Sequence, residues 1–556
     1  MGRLLNVVLN FLIHLQMLAI KHFSWKPFIQ KTHNPQATQY KLLQQIIRNN
    51  KNTRFGKKYG FESITTYQHF QRALPVHNYD DLSPYIKDQD NKKEAAIHTE
   101  HPVLFSVTSG TTGAPKYIPI FPSTASQFKK SQALFAFAQY EGIPTIYKEK
   151  ILGIGSPVIE GTLNSKTPYG SVSGLLLESM PPLVKRKYLL PIDVFEIEDY
   201  PLKYFLICAF SLKEPNISFI ASANPSTFLK IMDVIQSDWD NLIHFITTGD
   251  LPDGFTPKPE YRALLDKYFK TDPGRADVLR AFSSRKDKLT FQTLWPNLQA
   301  IATWTGGSCK ILIPKLRTLL ADQTRIIELG YLSSEFRGSL LVDSVNNKCI
   351  PTFHENFFEF VELSDWDNNI PHFLTLDQIE AGKQYYVIVT TQNCLYRYFI
   401  NDIVKVTGLF NSTPTIEFVQ KGKGITNITG EKLSEQQLIE ALGHLKKELE
   451  VPFDFFIMLA DPETSQYTLY IEVPPQASLE KTLEEQLSGL NIEFEAKRKS
   501  GRLNPTQVIF LKQGTGEEYK KHSLGNDQRE GQFKIVRLQY SSDCSFNFQP
   551  YDIGKR

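Results

Sequence analysis

Six short, unbroken apolar runs between residues 103 and 389 constrain the fold of this chain more than any other feature. Several are bounded by Gly, Pro or Asn, and stretches with helical character separate them. The runs are residues 103–105, 151–154, 217–220, 301–304, 326–329 and 385–389. Apolar runs without polar alternation are typical of buried strands, and strands that alternate with helices indicate an α/β domain. The sequence therefore predicts the α/β fold class.

The length of 556 residues predicts at least two domains, because a single hydrophobic core stops growing at about 250–300 residues. The pattern breaks at residues 418–424, where Gly422 and Gly424 stand, and resumes at Ser434, which forms a capping box with Gln437 ahead of an apolar helix. Strand-like segments at 453–458, 467–473 and 508–511 and a helix at 479–490 follow.

These features predict a large N-terminal domain of β-sheets and packed helices at residues 1–421 and a small C-terminal α+β domain at 434–556, joined by a hinge at 422–433. Within the large domain, a helix is predicted to begin at Pro35, with Asn34 as its cap.

The first 33 residues are rich in Leu, Val, Phe and Ile, but four polar residues interrupt residues 4–20: Asn6, Asn10, His14 and Gln16. A spanning helix needs about 20 predominantly apolar residues, and no small-residue cleavage site precedes Lys21. We expect residues 1–33 to form an apolar helix packed on the body of the protein. Docking on a membrane surface or on a partner stays open as an alternative.

Charge and cysteine usage favour an ordinary cytoplasmic protein. The 62 basic and 59 acidic residues leave a net charge of +3 without a long basic run, which argues against a nucleic-acid partner and gives no support to a membrane role. Five cysteines stand without close spacing, so the sequence predicts neither a disulfide framework nor a zinc site.

The segment Ser106-Val-Thr-Ser-Gly-Thr-Thr-Gly-Ala-Pro-Lys116 follows an apolar strand and carries the clearest chemical signal. Glycines bring backbone N–H groups close to phosphate oxygens, hydroxyls add donors, and a lysine offsets the charge of a polyphosphate. A Walker loop is excluded because Gly110 and Gly113 are too closely spaced and Tyr117 follows the lysine. The alternative is a polar turn between two elements. Residues 108–116 resemble the phosphate loop of the adenylate-forming enzymes.

Two further motifs narrow the resemblance to one family. Tyr331-Leu-Ser-Ser-Glu335 and Leu395-Tyr-Arg-Tyr-Phe-Ile-Asn-Asp402 resemble the Tyr-Ala-Ser-Ser-Glu and Tyr-Arg-x-Gly-Asp motifs of the plant auxin-responsive acyl acid amido synthetases, the Gretchen Hagen family. Acyl-CoA ligases usually carry Tyr-Gly-x-Thr-Glu at the first motif. Weaker likeness covers nearly the whole chain after about residue 30, and it implies a large adenylate-forming domain followed by a small lid domain.

The resemblance implies a role for each matched residue. Tyr331 would lie against the adenine, Glu335 would bind Mg²⁺, Asp402 would accept hydrogen bonds from the ribose, and Lys432 would reach a nucleotide phosphate. The residues expected to bind ATP are Ser106, Thr108, Ser109, Gly110, Thr111, Thr112, Gly113, Lys116, Tyr331, Ser334 and Asp402, and Lys116, Glu335 and Lys432 are expected to act in catalysis. Each of three residues also has an alternative role without a ligand. Glu335 would be a surface residue at the end of a strand, Asp402 would lie in a turn, and Lys432 would be a solvated lysine at a helix start.

Two positions depart from the family motif. Phe399 and Asn401 stand where the family has Arg and Gly. Asn tolerates a positive φ better than most residues, so the glycine turn is expected to survive, whereas Phe399 removes a charge near the nucleotide. Several other residues are interpreted as packing rather than as site residues, namely His354 with Glu355, Trp304, Phe357 and Tyr398.

The function that the resemblance implies is ATP-dependent adenylation of a small carboxylic acid, with Mg²⁺, followed by transfer of the acyl group to an amine such as an amino acid. Closure of the small domain about the hinge would exclude water between the two steps. Two alternatives remain open, an acyl-CoA ligase with the same first half-reaction and a non-catalytic protein that binds a nucleotide or an acyl acid.

Overall fold

A computed structural model describes the chain except for residues 1, 93, 109–115, 256–257, 368–369, 427, 429–430, 432, 449–452, 454, 462, 477, 500–502, 525–534 and 555–556. The helices up to residue 300 are α1 Gly2–Ile20, α2 Lys26–Lys31, α3 Pro35–Asn50, α4 Arg54–Lys58, α5 Tyr67–Ala73, α6 Tyr79–Asn91, α7 Pro122–Gly142, α8 Val172–Glu178, α9 Pro182–Lys185, α10 Tyr200–Lys213, α11 Pro225–Ser237, α12 Trp239–Thr248, α13 Pro259–Tyr268, α14 Pro273–Arg280 and α15 Phe291–Leu294. Those that follow are α16 Ile313–Thr318, α17 Leu363–Asp367, α18 Glu435–Glu448, α19 Leu479–Leu490, α20 Ile492–Lys499 and α21 Thr515–Leu524.

The strands, in chain order, are β1 Leu104–Thr108, β2 Lys116–Ile120, β3 Lys150–Ile154, β4 Gly161–Thr162, β5 Pro168–Gly170, β6 Ile217–Ser222, β7 Ala300–Thr303, β8 Arg325–Glu328, β9 Ser339–Asp343, β10 Lys348–Pro351, β11 Asn356–Glu362, β12 Gln384–Thr391, β13 Tyr398–Phe410, β14 Thr413–Lys421, β15 Ile425–Thr426, β16 Leu433–Ser434, β17 Phe456–Asp461, β18 Gln466–Ile471, β19 Gln507–Phe510 and β20 Leu538–Tyr540. Each of the six apolar runs coincides with one of these strands. The strand predictions for that part of the chain are confirmed.

The chain folds into two compact units. The first comprises Met1–Thr305, Lys315–Ile400 and Lys405–Glu417, and the second comprises Gly306–Pro314, Asn401–Val404 and Phe418–Arg556. Each unit contains a four-stranded sheet that belongs to it alone, whereas β13 and β14 contribute residues to both units.

A parallel sheet in the order β3-β6-β7-β8 forms the centre of the first unit. Its strands carry fully buried aliphatic residues such as Leu152, Ile220 and Ile301, because helices separate the strands in the chain and cover such sheets on both faces. Glu328 at the end of β8 accepts hydrogen bonds from Thr305 N–H at 2.7 Å and Gly330 N–H at 2.8 Å. These bonds fix the carboxyl ends of β7 and β8, the edge at which α/β sheets usually bind ligands.

Two further four-stranded sheets and one β-hairpin contain the other described strands of the first unit. They have the orders β2-β1-β5-β4, β11-β12-β13-β14 and β10-β9. β1 pairs with β2 in antiparallel and with β5 in parallel orientation, so both of its edges are covered.

The second unit contains a sheet in the order β19-β18-β17-β20 with helices α18 and α19 packed against each other. The predicted capping box starts α18, since Gln437 N–H donates to Ser434 Oγ at 3.2 Å and Ser434 N–H donates to Gln437 Oε1 at 3.1 Å. The predicted helix at 479–490 has the bounds of α19. The strands predicted near 467–473 and 508–511 correspond to β18 and β19, whereas the predicted strand at 453–458 begins only at Phe456.

Candidate active site

The glycine-rich segment lies between two paired strands. β1 ends at Thr108, β2 begins at Lys116, and these two residues stand opposite each other in the antiparallel ladder. Five predicted phosphate contacts lie outside the described residues, namely Ser109, Gly110, Thr111, Thr112 and Gly113. Ser106 lies in β1 and is fully buried, and its Oγ has no hydrogen-bond partner among the described residues.

Lys116 holds its ammonium group between two tyrosines. Its Nζ lies 3.5 Å from Tyr398 Oη and 5.7 Å from the centre of the Tyr79 ring. Tyr79 Oη in turn accepts a hydrogen bond from Tyr117 N–H at 2.8 Å. A cation over an aromatic face is attracted by the ring quadrupole. The contacts therefore orient the lysine side chain while leaving it half-buried rather than enclosed.

Local capping and strand pairing position both tyrosines. Tyr79 begins α6, and Asn78 caps that helix in a reciprocal pair of hydrogen bonds with Asp81. The preceding residue, His77, pairs with β13: its N–H donates to Arg397 O at 2.9 Å, and Phe399 N–H donates to His77 O at 2.9 Å. The start of α6 is thereby attached beside Tyr398, although about 320 residues of sequence separate them.

The Tyr331–Glu335 motif lies beside the same strands. It follows the carboxyl end of β8, and Ser334 Oγ donates a hydrogen bond to Val107 O in β1 at 3.3 Å. The Glu335 carboxylate is buried, and its backbone carbonyl accepts a hydrogen bond from Asn393 Nδ2 at 3.1 Å. The interpretation of Glu335 as a surface residue is therefore wrong.

Tyr79 shows that Glu335 and Lys116 share one neighbourhood. Burial, together with smaller effects that include the negative charge of Glu335, raises the pKa of Tyr79 to about 12. The phenol therefore stays protonated at neutral pH, and its O–H donates to Tyr117 O at 3.2 Å. The structure brings together Lys116, Ser334 and Glu335, which the motifs singled out, and adds Tyr79, which they did not. In the sequence, Tyr79 belonged only to a segment of weaker family likeness, residues 79–86, and had no assigned role.

Tyr331 is nearly enclosed by its own loop. Its N–H donates to Ser339 Oγ at 2.8 Å, and its ring lies edge-on to Phe336 with centroids 5.6 Å apart. A Cβ on Gly338 would stand 2.1 Å from Tyr331 Cδ1, so a glycine is required beside the ring. The contact with adenine stays a prediction.

The Asp402 motif lies on β13. Asp402 is buried and belongs to the second unit, so its convergence with Lys116 stays a prediction. Asn401 has φ +59°, which confirms that Asn replaces the family glycine in a left-handed conformation. Phe399 stacks on Trp366 with centroids 4.2 Å apart, so the residue that replaces the family arginine serves aromatic packing. Lys432 lies outside the described residues.

A buried ion pair holds the segment that leads into β13. Arg397 Nε and Nη2 donate to the two carboxylate oxygens of Glu359 at 2.9 and 3.0 Å. Arg397 Nη1 also donates to Leu74 O at 2.6 Å, and Tyr67 Oη donates to Glu359 at 3.0 Å. The guanidinium thus joins β11 and the end of α5 to the residue directly before Tyr398. Arg397 is a positioning residue for the tyrosine beside Lys116.

The remaining residues interpreted as packing have that role. His354 lies 4.8 Å from the Phe28 ring centre and 3.2 Å from Glu355 Oε1, within an aromatic cluster. Phe357 and Tyr398 are buried in the core, although the Tyr398 hydroxyl reaches Lys116. Trp304 Nε1 donates to Gly330 O at 3.1 Å, so it stabilises the loop before Tyr331.

Glu435, at the start of α18 in the second unit, is expected to make that unit's stability depend on pH. Burial raises the pKa of Glu435 to about 7, against the opposing charge of Arg537. Between about pH 4.5 and pH 7 the folded state binds more protons than the unfolded chain, so the free energy of unfolding falls as pH rises. At pH 8 we expect Glu435→Gln to raise the free energy of unfolding of the second unit by about 3 kcal/mol.

Scanning calorimetry at pH 5 and pH 8 measures this effect. All five tryptophans, Trp25, Trp239, Trp295, Trp304 and Trp366, belong to the first unit, so tryptophan fluorescence identifies which transition belongs to that unit. Glu440→Gln, at an exposed position of the same helix, is the control and should leave the transition unchanged. An equal gain from both variants would contradict the assignment to buried Glu435.

Three domain models of one family match most of the chain. The GH3 family N-terminal domain matches residues 25–325, the GH3 family central domain residues 349–421, and the GH3 family C-terminal domain residues 436–543. The chain belongs to the GH3 family. The resemblance to the Gretchen Hagen enzymes is thereby confirmed.

Relatives of this GH3 protein are similar along nearly their whole length. The indole-3-acetic acid-amido synthetase GH3.4 of Arabidopsis thaliana is 24% identical, over 92% of this chain and 90% of that protein. The jasmonoyl–L-amino acid synthetase JAR4 of Nicotiana attenuata is 26% identical, over 90% of each chain. The solved structure of the GH3.15 acyl acid amido synthetase matches with a TM-score of 0.83 at 20% identity, over 95% of this chain and 96% of that chain. The predicted α/β fold class is confirmed.

Proposed function

We propose that this GH3 protein is an AMP-forming ligase that joins a small carboxylic acid to an amino acid. ATP is a substrate of the first half-reaction, in which a carboxylate oxygen attacks the α-phosphorus and pyrophosphate leaves. In the second half-reaction the amine nitrogen attacks the acyl carbon, AMP leaves, and the amine loses a proton. The amide then carries the acyl group, and no covalent bond to the protein is required.

The observation that supports the first half-reaction most is the cluster of Lys116, Ser334, Glu335 and Tyr79 at the ends of β1 and β2. A half-buried ammonium group offsets the negative charge that collects on departing pyrophosphate, a task of positioning and electrostatics. Lys116 is oriented for it by Tyr79 and Tyr398, which contact the side chain without neutralising its charge. The Tyr79 hydroxyl donates to Tyr117 O at 3.2 Å, so the ring beside Lys116 is attached to β2.

The donor set also fits a magnesium ion. Mg²⁺ takes one or two carboxylates together with phosphate oxygens. Glu335 supplies a buried carboxylate whose charge acts on Tyr79, the tyrosine that Lys116 contacts. When bound, the ion would neutralise charge on the phosphates. Asp402 is proposed to bind the ribose hydroxyls, Tyr331 the adenine and Lys432 a phosphate, in each case because these residues match the motifs of the family.

The nature of the acceptor distinguishes this proposal from an acyl-CoA ligase. The motif Tyr331-Leu-Ser-Ser-Glu335 and the names of the GH3 relatives favour an amine. Purified protein should be incubated with ATP, Mg²⁺ and one acid from a panel of indole, jasmonate and benzoate acids, and then with either mixed amino acids or coenzyme A. Mass spectrometry is expected to detect an acyl amino acid and AMP.

Each alternative predicts a different result in that experiment. A thioester that forms in place of the amide would assign the protein to the acyl-CoA ligases. A nucleotide-binding protein without catalysis would bind ATP but support no pyrophosphate exchange with any acid. The amido synthetase assignment requires both acid-dependent exchange and an amide product.

A further inference from the structure

Helix α1 contacts the body of the first unit through a mixed polar and apolar face. Most of its large apolar side chains face outward. Asn6, Asn10, Ile13 and Met17 share the inward face at helical spacing, and Ile13 and Met17 are buried. We expected this helix to pack on the body, and it does so with that face only.

Polar contacts fix the inward face. Lys187 is buried and donates from Nζ to Asn6, to Asn10 Oδ1 at 2.6 Å and to Lys148 O at 2.9 Å. His14 Nδ1 lies 2.9 Å from Tyr140 Oη on α7. The helix then continues through a π-helical turn, Lys21–Trp25, into α2, where Trp25 and Phe28 are buried. The orientation of α1 is therefore determined by specific hydrogen bonds on one side.

The outward face presents large apolar side chains to solvent. Leu4, Val8, Phe11, Leu15 and Leu18 follow helical spacing, and each is at least 40% exposed, with Phe11 at 60%. The other exposed apolar side chains in this region are Leu5, Val7, Leu12 and Phe23. A contiguous apolar face of this kind on a folded protein marks an interaction surface.

The charge around this face indicates the partner. Residues 2–31, which include α1 and α2, contain four Lys and Arg and no Asp or Glu, although the whole chain has nearly equal numbers of both signs. Lys26 and Lys31 are exposed directly beyond the apolar face, and Lys21 pairs with Glu141 at 3.2 Å. On its inward side the segment contacts two carboxylates, Glu141 through Lys21 and Glu149 through Asn6. Its outward apolar face carries no acidic side chain and ends at exposed cations, which matches the interfacial region of an anionic lipid bilayer.

We propose that α1 binds the surface of an anionic membrane, lying in its plane with the Leu4 to Leu18 face inserted among the lipids. By length and composition the helix Leu4–Lys31 is also sufficient to cross a membrane. The hydrogen bonds of Asn6, Asn10 and His14 to the body favour the in-plane arrangement, since a crossing helix would break them and place these polar groups in hydrocarbon. The acyl-acid chemistry proceeds independently of this attachment.

Flotation of the full-length protein with phosphatidylcholine vesicles, prepared with or without phosphatidylserine, tests the proposal. We expect the protein to float with the anionic vesicles and to be released by high salt or by a carbonate wash. The double variant Phe11→Asp/Leu15→Asp is expected to lower the vesicle partition coefficient by more than about tenfold, because two apolar side chains no longer enter the lipid.

The control variant Val278→Asp/Leu409→Asp changes two apolar side chains that are 53% and 62% exposed elsewhere in the first unit. It should float like the unchanged protein, and both double variants should keep the same melting temperature. Failure of the unchanged protein to float, or equal floating of the Phe11→Asp/Leu15→Asp variant, would overturn the proposal. If the bound protein resisted the carbonate wash, the in-plane arrangement would be wrong. If the unchanged protein bound no vesicles and were a dimer that the Phe11→Asp/Leu15→Asp variant converts to a monomer, the face would instead bind a second copy of the chain.

Discussion

Replacing Lys116 with alanine is expected to lower acid-dependent ATP–pyrophosphate exchange by roughly 10²–10³-fold, the usual cost of removing one preorganised group that stabilises developing charge. The ammonium group lies between Tyr79 and Tyr398 at the start of β2 and is half-buried, so its charge is less screened than that of a surface lysine. Its effect should appear mainly in kcat, since charge on the leaving pyrophosphate grows in the transition state.

Glu335→Gln should also slow the adenylation step, but its effect should depend on the concentration of Mg²⁺. The amide removes the charge expected to hold Mg²⁺, so the concentration of Mg²⁺ that gives half-maximal exchange should rise, whereas Lys116→Ala should leave it nearly unchanged. Lys130→Ala, at an exposed position of α7, is the matched control for the lysine and should keep full activity. Exchange that survives in Lys116→Ala at an unchanged rate would refute the role of the cluster.

Local patterns predicted those strands and helix starts whose signals lie within a few consecutive residues. A strand that is buried on both faces needs an unbroken apolar run. Four of the six runs form the parallel sheet β3-β6-β7-β8, and the other two lie in β1 and β12. A helix start needs a cap, and both Asn34 and Ser434 accept the expected hydrogen bonds from Ala37 and Gln437. The strand that begins at Phe456 was predicted to begin at Phe453. Phe453 and Phe455 precede the strand, and phenylalanine favours strands whether or not the residue lies in one, so propensity could not locate the start.

The organisation of the site was less predictable because its contacts join distant parts of the chain. Tyr79 reaches Lys116 only because His77 pairs with β13, and no periodicity indicates such a pairing. Arg397 stands inside a nucleotide motif, yet its charge is used by Glu359, which lies in a strand with the pattern of an apolar core. The sequence left the outward apolar face of α1 undecided between packing and docking, since hydropathy does not distinguish a buried face from an exposed one.

The Arg397–Glu359 pair is expected to dominate the stability of the first unit. Glu359→Gln or Arg397→Met should each lower the free energy of unfolding by about 3–5 kcal/mol, because removal of one partner leaves the other charge buried without compensation. The side chains of Arg397 and Glu359 are 4% and 1% exposed, so water cannot replace the lost partner. Urea denaturation followed by tryptophan fluorescence measures the first unit alone, since it contains all five tryptophans.

A second ion pair on the same strand provides the matched control. Glu362 also lies on β11, and its carboxylate accepts from Lys383 Nζ at 3.0 Å, but both side chains are solvent-exposed, at 43% for the lysine and 35% for the glutamate. Glu362→Gln should therefore cost less than about 1 kcal/mol. The double variant Glu359→Gln/Arg397→Met should lose less stability than the sum of its single variants, because it leaves no unpaired charge. Additive losses would show that the two groups contribute through separate contacts, and Arg397 would then position Tyr398 through its bond to Leu74 O rather than through Glu359.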